Sequence, residues 1–178
     1  MANTGTVRQI DDLGRIVIPK EIRRTLLIRE GDQLEIHVES GKVVLQKYNP
    51  VDQLKYLAQS FATSICKVVN HTVVVCNKDR IIAAAGKHAG YYMDMSVSAS
   101  VTNVMLKRRS FESISEPIEL MAYKEGDTAF LVQPIIAKGN VIGAIAVVSD
   151  GTEQENMEHV GTAVSTAAAA MGFVYEEE

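Results

Sequence analysis

The chain has 178 residues, 47% of them apolar and 22% charged, with a formal net charge of −4. This is the composition of a soluble globular protein of one or two domains. An acidic chain excludes uniform coating by nucleic acid, so any nucleic-acid site has to be a local patch.

The charge is unevenly spread. Residues 1–29 carry six basic groups (Arg8, Arg15, Lys20, Arg23, Arg24, Arg29) against three acidic ones (Asp11, Asp12, Glu21), whereas residues 51–178 carry ten basic against fifteen acidic. Such asymmetry predicts different partners for the two halves. No apolar run of about 18 residues is present to span a membrane, and the N-terminus lacks the apolar core of a signal peptide. Cys66 and Cys76 are too few for a disulfide framework and lack metal-ligand spacing. A cytoplasmic protein is expected.

In chain order, Thr6–Ile10 is a β-favouring run, Asp11–Gly14 a turn, and Arg15–Ile18 a second strand whose stiff Ile-Val-Ile centre predicts burial on both faces. Pro19 has no N–H for a ladder but suits the first turn of a helix, predicted over Lys20–Leu27 with Ile22 and Leu26 on one side. Glu30–Asp32 is a turn. Gln33–Val38 alternates, with Leu34, Ile36 and Val38 on one face and Glu35 and His37 on the other. Ser40-Gly41 is a hairpin turn and Lys42–Lys47 the return strand. A unit of about 50 residues without disulfide or metal rarely buries enough surface to fold alone. Its high apolar content therefore predicts an obligate dimer.

Tyr48-Asn49-Pro50 marks a boundary, giving domains 1–50 and 51–178. Asp52 is placed to cap a helix from Gln53, with an apolar stripe of Leu54, Leu57, Phe61, Ile65 and Val68. Strands are predicted over Thr72–Cys76, Arg80–Ala85, Ala129–Ala137 and Asn140–Ser149, the last two joined by a tight Lys138-Gly139 turn. Helices are predicted over Ser96–Arg109 and Glu153–Tyr175, the latter with an Ala-rich centre that admits another helix closely. This order indicates an α+β domain.

The segment Arg8–Arg24 is the main candidate site. Arginine's planar fork suits phosphate oxygens and the guanine edge, and a dimer would double the cluster into a two-fold basic surface matched to duplex DNA. The residues alone fit a solvated face equally well, with Asp11, Asp12 and Glu21 as ion-pair partners.

The full string, Gly5-Thr-Val-Arg-Gln-Ile-Asp-Asp-Leu-Gly-Arg-Ile-Val-Ile-Pro-Lys-Glu-Ile-Arg-Arg-Thr-Leu26, closely resembles the swapped-hairpin DNA-binding domain of AbrB-family transition-state regulators, and the resemblance runs to about Tyr48. It implies an intertwined all-β dimeric barrel that binds double-stranded DNA through Arg8, Arg15, Arg23 and Arg24, which match the family's DNA-binding arginines. Lys20 is an addition, at a position where other members carry a non-basic residue. An AbrB-type domain followed by a helix and an α+β domain of this size resembles the sporulation regulators of the family, whose second half is a GAF domain, a fold often used to sense small molecules. That match is looser, resting on element order, domain length, the strand around Val73–Cys76 and the hairpin Phe130–Val148. No signature of a characterised GAF subfamily stands out, so no cofactor is carried over, and an unidentified small-molecule ligand is the expectation.

Other features have bland readings. The cysteines sit in apolar surroundings, where inert thiols are usual. His37, His71, His88 and His159 are scattered. Lys107-Arg108-Arg109 suits a helix C-terminus. Met93, Met95 and Met105, with Tyr91 and Tyr92, read as core sooner than as an adaptable pocket. Gly86–Gly90 lacks a phosphate-loop ending, and no nucleophile–base pair, paired carboxylates or metal cage is apparent.

The expectation is a non-enzymatic sporulation transcription regulator, activator and repressor, nucleoid-associated in the developing spore. It binds DNA as a dimer and assembles to a tetramer through the helices of its second domain. The alternatives are an antitoxin-like DNA-binding module and a ligand-binding enzyme with a DNA-binding appendage.

Overall fold

The computed structural model describes residues 5–48, 55–122, 126–149 and 157–177, which fall into two units, residues 1–48 and 49–178. The boundary expected after Pro50 lies outside the described residues.

In the first unit neither Thr6–Ile10 nor Arg15–Ile18 forms a ladder. Val17, expected to be buried on both faces, is 74% exposed. A strand exists only when a neighbour accepts and donates its backbone hydrogen bonds, and among the described residues the one backbone bond to these two segments is the turn bond from the Asp11 N–H to the Arg15 carbonyl. The turn between them does form: the Gly14 N–H donates to the Asp11 carbonyl at 3.0 Å, with Gly14 at φ +76°, a region that favours glycine. Pro19 precedes α1 (Lys20–Thr25), whose end comes two residues before the expected Leu27 because Leu27 turns to φ +54°. Strands β1 (Leu34–Glu39) and β2 (Lys42–Lys47) form the expected antiparallel hairpin about Ser40-Gly41. Their register sets Ile36 opposite Leu45 and Val38 opposite Val43, as the two-residue period requires. That apolar face is nevertheless uncovered, Val38 being 76% exposed, and no described residue of this unit is buried.

The second unit opens with α2 (Lys55–Val69); the cap at Asp52 and the stripe residue Leu54 lie outside the described residues. Its buried face is Ala58, Ala62, Ile65 and Val69, which shares Ile65 with the expected stripe; Leu57 and Phe61 are only partly buried, Phe61 still packing against the core. The two alanines let the helix axis lie close to the sheet, which rotates the bulky Phe61 to the flank and leaves Val68 59% exposed. The following elements are β3 (Val73–Asn77), β4 (Ile81–Ala85), α3 (Ala89–Tyr92), α4 (Ala99–Lys107), β5 (Phe111–Glu112), β6 (Ile118–Glu119), β7 (Thr128–Ala137), β8 (Asn140–Val148) and α5 (Met157–Glu177). The short elements α3, β5 and β6 are absent from the sequence reading, because two to four residues carry no period. The helix expected over Ser96–Arg109 is trimmed at both ends. Ser98 caps α4 by accepting the Val101 N–H at 3.1 Å, and Arg108 ends it at φ +54°.

The strands form one antiparallel sheet in the order β4-β3-β8-β7-β5, with β6 also on β7. Both faces are covered, so the central strands are continuously apolar. Val73, Val75, Ile145 and Val147 face one core with α2 and α5, around the fully buried Phe130, Val164 and Met171. Val74, Cys76, Ala144 and Ala146 face the other, with Tyr92, Val101, Met105, Leu120 and Met121. Tyr92 and Met105 are thus core residues, whereas Met95 is partly exposed.

Candidate nucleic-acid interface

The basic residues of the first unit occupy three local settings. Arg8 lies on the extended segment before the turn, exposed and without a hydrogen bond or ion pair among the described residues. Arg15 closes the turn, with its Nε donating to Asp11 Oδ2 at 2.7 Å. Lys20 opens α1, and Arg23 and Arg24 sit in its last turn, all three exposed. Cations suit that end of a helix, where unpaired carbonyls concentrate negative potential.

The carbonyls themselves are partly used. Ile22 O accepts from Leu26 N–H at 2.9 Å, Arg24 O from Leu27 N–H at 3.3 Å, and Arg23 O from Ile28 N–H at 2.7 Å. The structure therefore gathers Lys20, Arg23 and Arg24 on one short helix and ties Arg15 to Asp11. It leaves Arg8 to be placed by whatever pairs with its segment.

What ties the turn after α1 to the hairpin was not visible in the sequence. The Lys47 ammonium donates to Asp32 Oδ2 and to the Leu27 carbonyl, each at 3.1 Å, and Asp32 Oδ2 also accepts the Arg29 N–H at 2.7 Å. The side chains of Lys47 and Asp32 are only 15% and 6% exposed, so this cross-link is far better shielded from solvent than the Arg15–Asp11 pair. The sequence signal was the acid directly after Gly31, which the turn assignment absorbed.

Among its described residues the second unit offers no comparable cluster of basic groups. Lys107, Arg108 and Arg109 are exposed at the end of α4, as a solvated helix terminus would be. Among the described residues no group of His, Cys, Asp and Glu could hold a metal ion, and no helix is long and apolar enough to cross a membrane. Burial pushes the Cys76 thiol up to about 12 and raises that of Cys66, which suppresses the thiolate each would need to react. The hydroxyls of Tyr91 and Tyr92 both donate to the Asp127 carboxylate, each at 3.1 Å, a convergence of sequence-distant groups that spacing could not reveal.

Two family models match the chain: stage V sporulation protein T C-terminal, transcription factor, over residues 53–173, and the MazE bacterial antitoxin, an antidote-toxin recognition family, over residues 7–53. The chain is 41% identical to stage V sporulation protein T of Bacillus subtilis, over 99% of its own length and all of the relative's. The chain belongs to the stage V sporulation protein T family. It is accordingly a sporulation transcription regulator and not an enzyme. Over 50 residues, 28% of the chain and 52% of the relative, it is 58% identical to the transition state regulatory protein AbrB of the same organism, so the first unit is an AbrB-type domain. The second unit has the GAF fold: the GAF domain of an Acinetobacter phosphoenolpyruvate-protein phosphotransferase superposes with a TM-score of 0.56 at 16% identity, covering 70% of this chain and 82% of that one.

Proposed function

We propose that two first units intertwine into a barrel that grips duplex DNA through Arg8, Arg15, Arg23 and Arg24, with Lys20 adding a phosphate contact. One observation carries this reading. The unit exposes Arg8, Arg15, Lys20, Arg23 and Arg24 together with apolar side chains, with Val7 91% exposed and no described residue in the buried class. Leaving that much apolar surface in water is unfavourable by about 25 cal/mol per Å². A second copy covers it, gives Thr6–Ile10 and Arg15–Ile18 the strand partners they lack, and doubles the arginines across a two-fold axis.

The test is salt dependence. A dimer neutralising about six phosphates gives log affinity falling against log salt with a slope of about −5. Each of Arg8→Ala, Arg15→Ala, Arg23→Ala and Arg24→Ala weakens binding while the dimer stays folded. A flat salt dependence, or unfolding of those variants, contradicts the reading.

The second units pair separate dimers into a tetramer in this reading. Supporting it is an open groove of about 380 Å³ between α2 and α5, lined by Phe61, Ile65, Val68, Ala163 and Ala167 among others. Sedimentation of the full chain gives a tetramer, reduced to a dimer by Val68→Asp. Only dimers at every concentration of the native chain would contradict it. A small ligand of the second unit then tunes DNA affinity, acting in the nucleoid of the developing spore; a thermal-shift screen of the full chain against nucleotides and amino acids tests this.

The match over residues 7–53 favours an antitoxin-like module as the second reading. Against it, residues 55–177 build a sheet and helices where such a module carries a toxin-binding tail.

A further inference from the structure

Asp11 uses both carboxylate oxygens within four residues. Oδ1 accepts the N–H groups of Leu13 at 3.1 Å and Arg15 at 2.7 Å, and Oδ2 accepts Nε of Arg15 at 2.7 Å. The backbone closes the same loop, Asp11 N–H donating to the Arg15 carbonyl at 3.1 Å. The guanidinium is thus held by its inner nitrogen. Its two terminal nitrogens have no partner among the described residues, and the Arg15 side chain is 71% exposed against 37% for Asp11.

An exposed ion pair contributes little to a fold. A carboxylate on a surface that meets phosphates also opposes binding. Both arguments leave the orientation of Arg15 as the consequence of this contact. A fixed guanidinium presents its terminal edge in one direction, which is what two-pronged recognition of guanine O6 and N7 requires. Asp12, next in sequence, makes no hydrogen bond or ion pair among the described residues, so it supplies the same charge without the same geometry.

We propose that Asp11 is a positioning residue of the DNA interface, aiming Arg15 at a base edge and so setting sequence discrimination rather than overall affinity. This rests on the reading of Arg15 as a DNA contact. The Arg15 backbone N–H, and then its guanidinium, hold the Asp11 carboxyl below its usual range, so the pair is ionised at any pH used to assay DNA.

The test compares Asp11→Asn with Asp12→Asn in the full chain. The probes are a duplex selected from a random pool by the native protein and a scrambled duplex of the same length. Asn keeps an acceptor for the turn and removes the ion pair. Asp11→Asn is expected to cut the ratio of selected to scrambled affinity by about tenfold, leaving scrambled binding equal or tighter and the salt slope unchanged. Asp12→Asn tightens both duplexes alike and leaves the ratio intact. With Arg15→Ala already present, Asp11→Asn changes the ratio no further. If Asp11→Asn tightens both duplexes equally, or weakens both with loss of the dimer in sedimentation, the proposal is overturned. If Arg15→Ala alone leaves both affinities unchanged, the reading of Arg15 has failed instead.

Discussion

The side-chain amide of Gln59 on α2 grips the backbone of Ala84 on β4: its Nε2 donates to the Ala84 carbonyl at 2.8 Å, and its Oε1 accepts the Ala84 N–H at 3.4 Å. Strand β4 is an edge of the sheet, and an open edge is a template for pairing with another chain. Gln59 closes it from within, while the carbonyl of Met95 accepts the Ile81 N–H at 2.9 Å further along. Gln59→Ala should therefore cost about 1–2 kcal/mol, the net worth of two hydrogen bonds one of which is long, and increase aggregation on mild heating. Gln59→Glu, which keeps the acceptor and loses the donor, should fall between. Urea denaturation with light scattering measures both.

Two glycines of α5 should respond to the same substitution with opposite sign. A Cβ at Gly172 would collide with the backbone carbonyl of Ile136 on β7, whereas at Gly161 it would meet nothing nearer than Glu112 Oε2 at 3.7 Å and Leu131 Cδ1 at 3.9 Å. Gly172→Ala has to push the helix off the sheet, an overpacking cost of about 1–3 kcal/mol. Gly161→Ala gains helix propensity, up to about 1 kcal/mol. The midpoints of chemical denaturation should move in opposite directions. Equal shifts would mean that α5 does not sit on β7 as described.

These glycines also mark where the sequence stops being legible. The hairpins about Ser40-Gly41 and Lys138-Gly139 could be read directly, because turn chemistry and strand alternation are local. Both turns have left-handed backbone at each central residue, Lys138 at φ +47° and Gly139 at φ +72°, as a tight hairpin demands. The buried face of α2 was misread because periodicity ranks residues by apolarity, while close packing selected Ala58 and Ala62 over Phe61 and Val68. Thr6–Ile10 and Arg15–Ile18 carry β-favouring residues but form no ladder, because local propensity does not supply a pairing partner. Of the candidate site, the arginines were evident from charge asymmetry and from the family string. The Lys47–Asp32 lock and the Tyr91–Tyr92–Asp127 convergence join residues whose spacing has no characteristic value.

The two thiols should differ sharply in reactivity. Cys76 is fully buried on β3, its Sγ donating to the Ala144 carbonyl at 3.5 Å, and desolvation holds its pKa at about 12. Cys66 is half-buried and raised by the same cause. At pH 8 a chromogenic disulfide reagent should label Cys66 slowly in the native protein and reach Cys76 only at the rate of unfolding. Cys66→Ser should then abolish native-state labelling. Rapid labelling of that variant would show the β3–β8 core to be open.

The Tyr92 phenol supplies an alkaline test of the core beneath it. Burial, then the hydrogen bond to Asp127 and its negative charge, push the phenol up to about 12, against about 10 in an unfolded chain. Above pH 10 the unfolded chain loses this proton first, so the native state binds more protons and stability falls as pH rises. The contribution is complete below about pH 10 and gone above about 12, an effect of order 2 kcal/mol for a shift of that size. Tyr92→Phe removes the group that titrates and should flatten stability against pH between those limits, at the expense of one hydrogen bond at neutral pH. Tyr91→Phe keeps the Tyr92 phenol in place and should retain the alkaline slope. Urea midpoints of the three proteins at pH 8, 10 and 11 decide it. Identical slopes for Tyr92→Phe and the native chain would remove Tyr92 as the source.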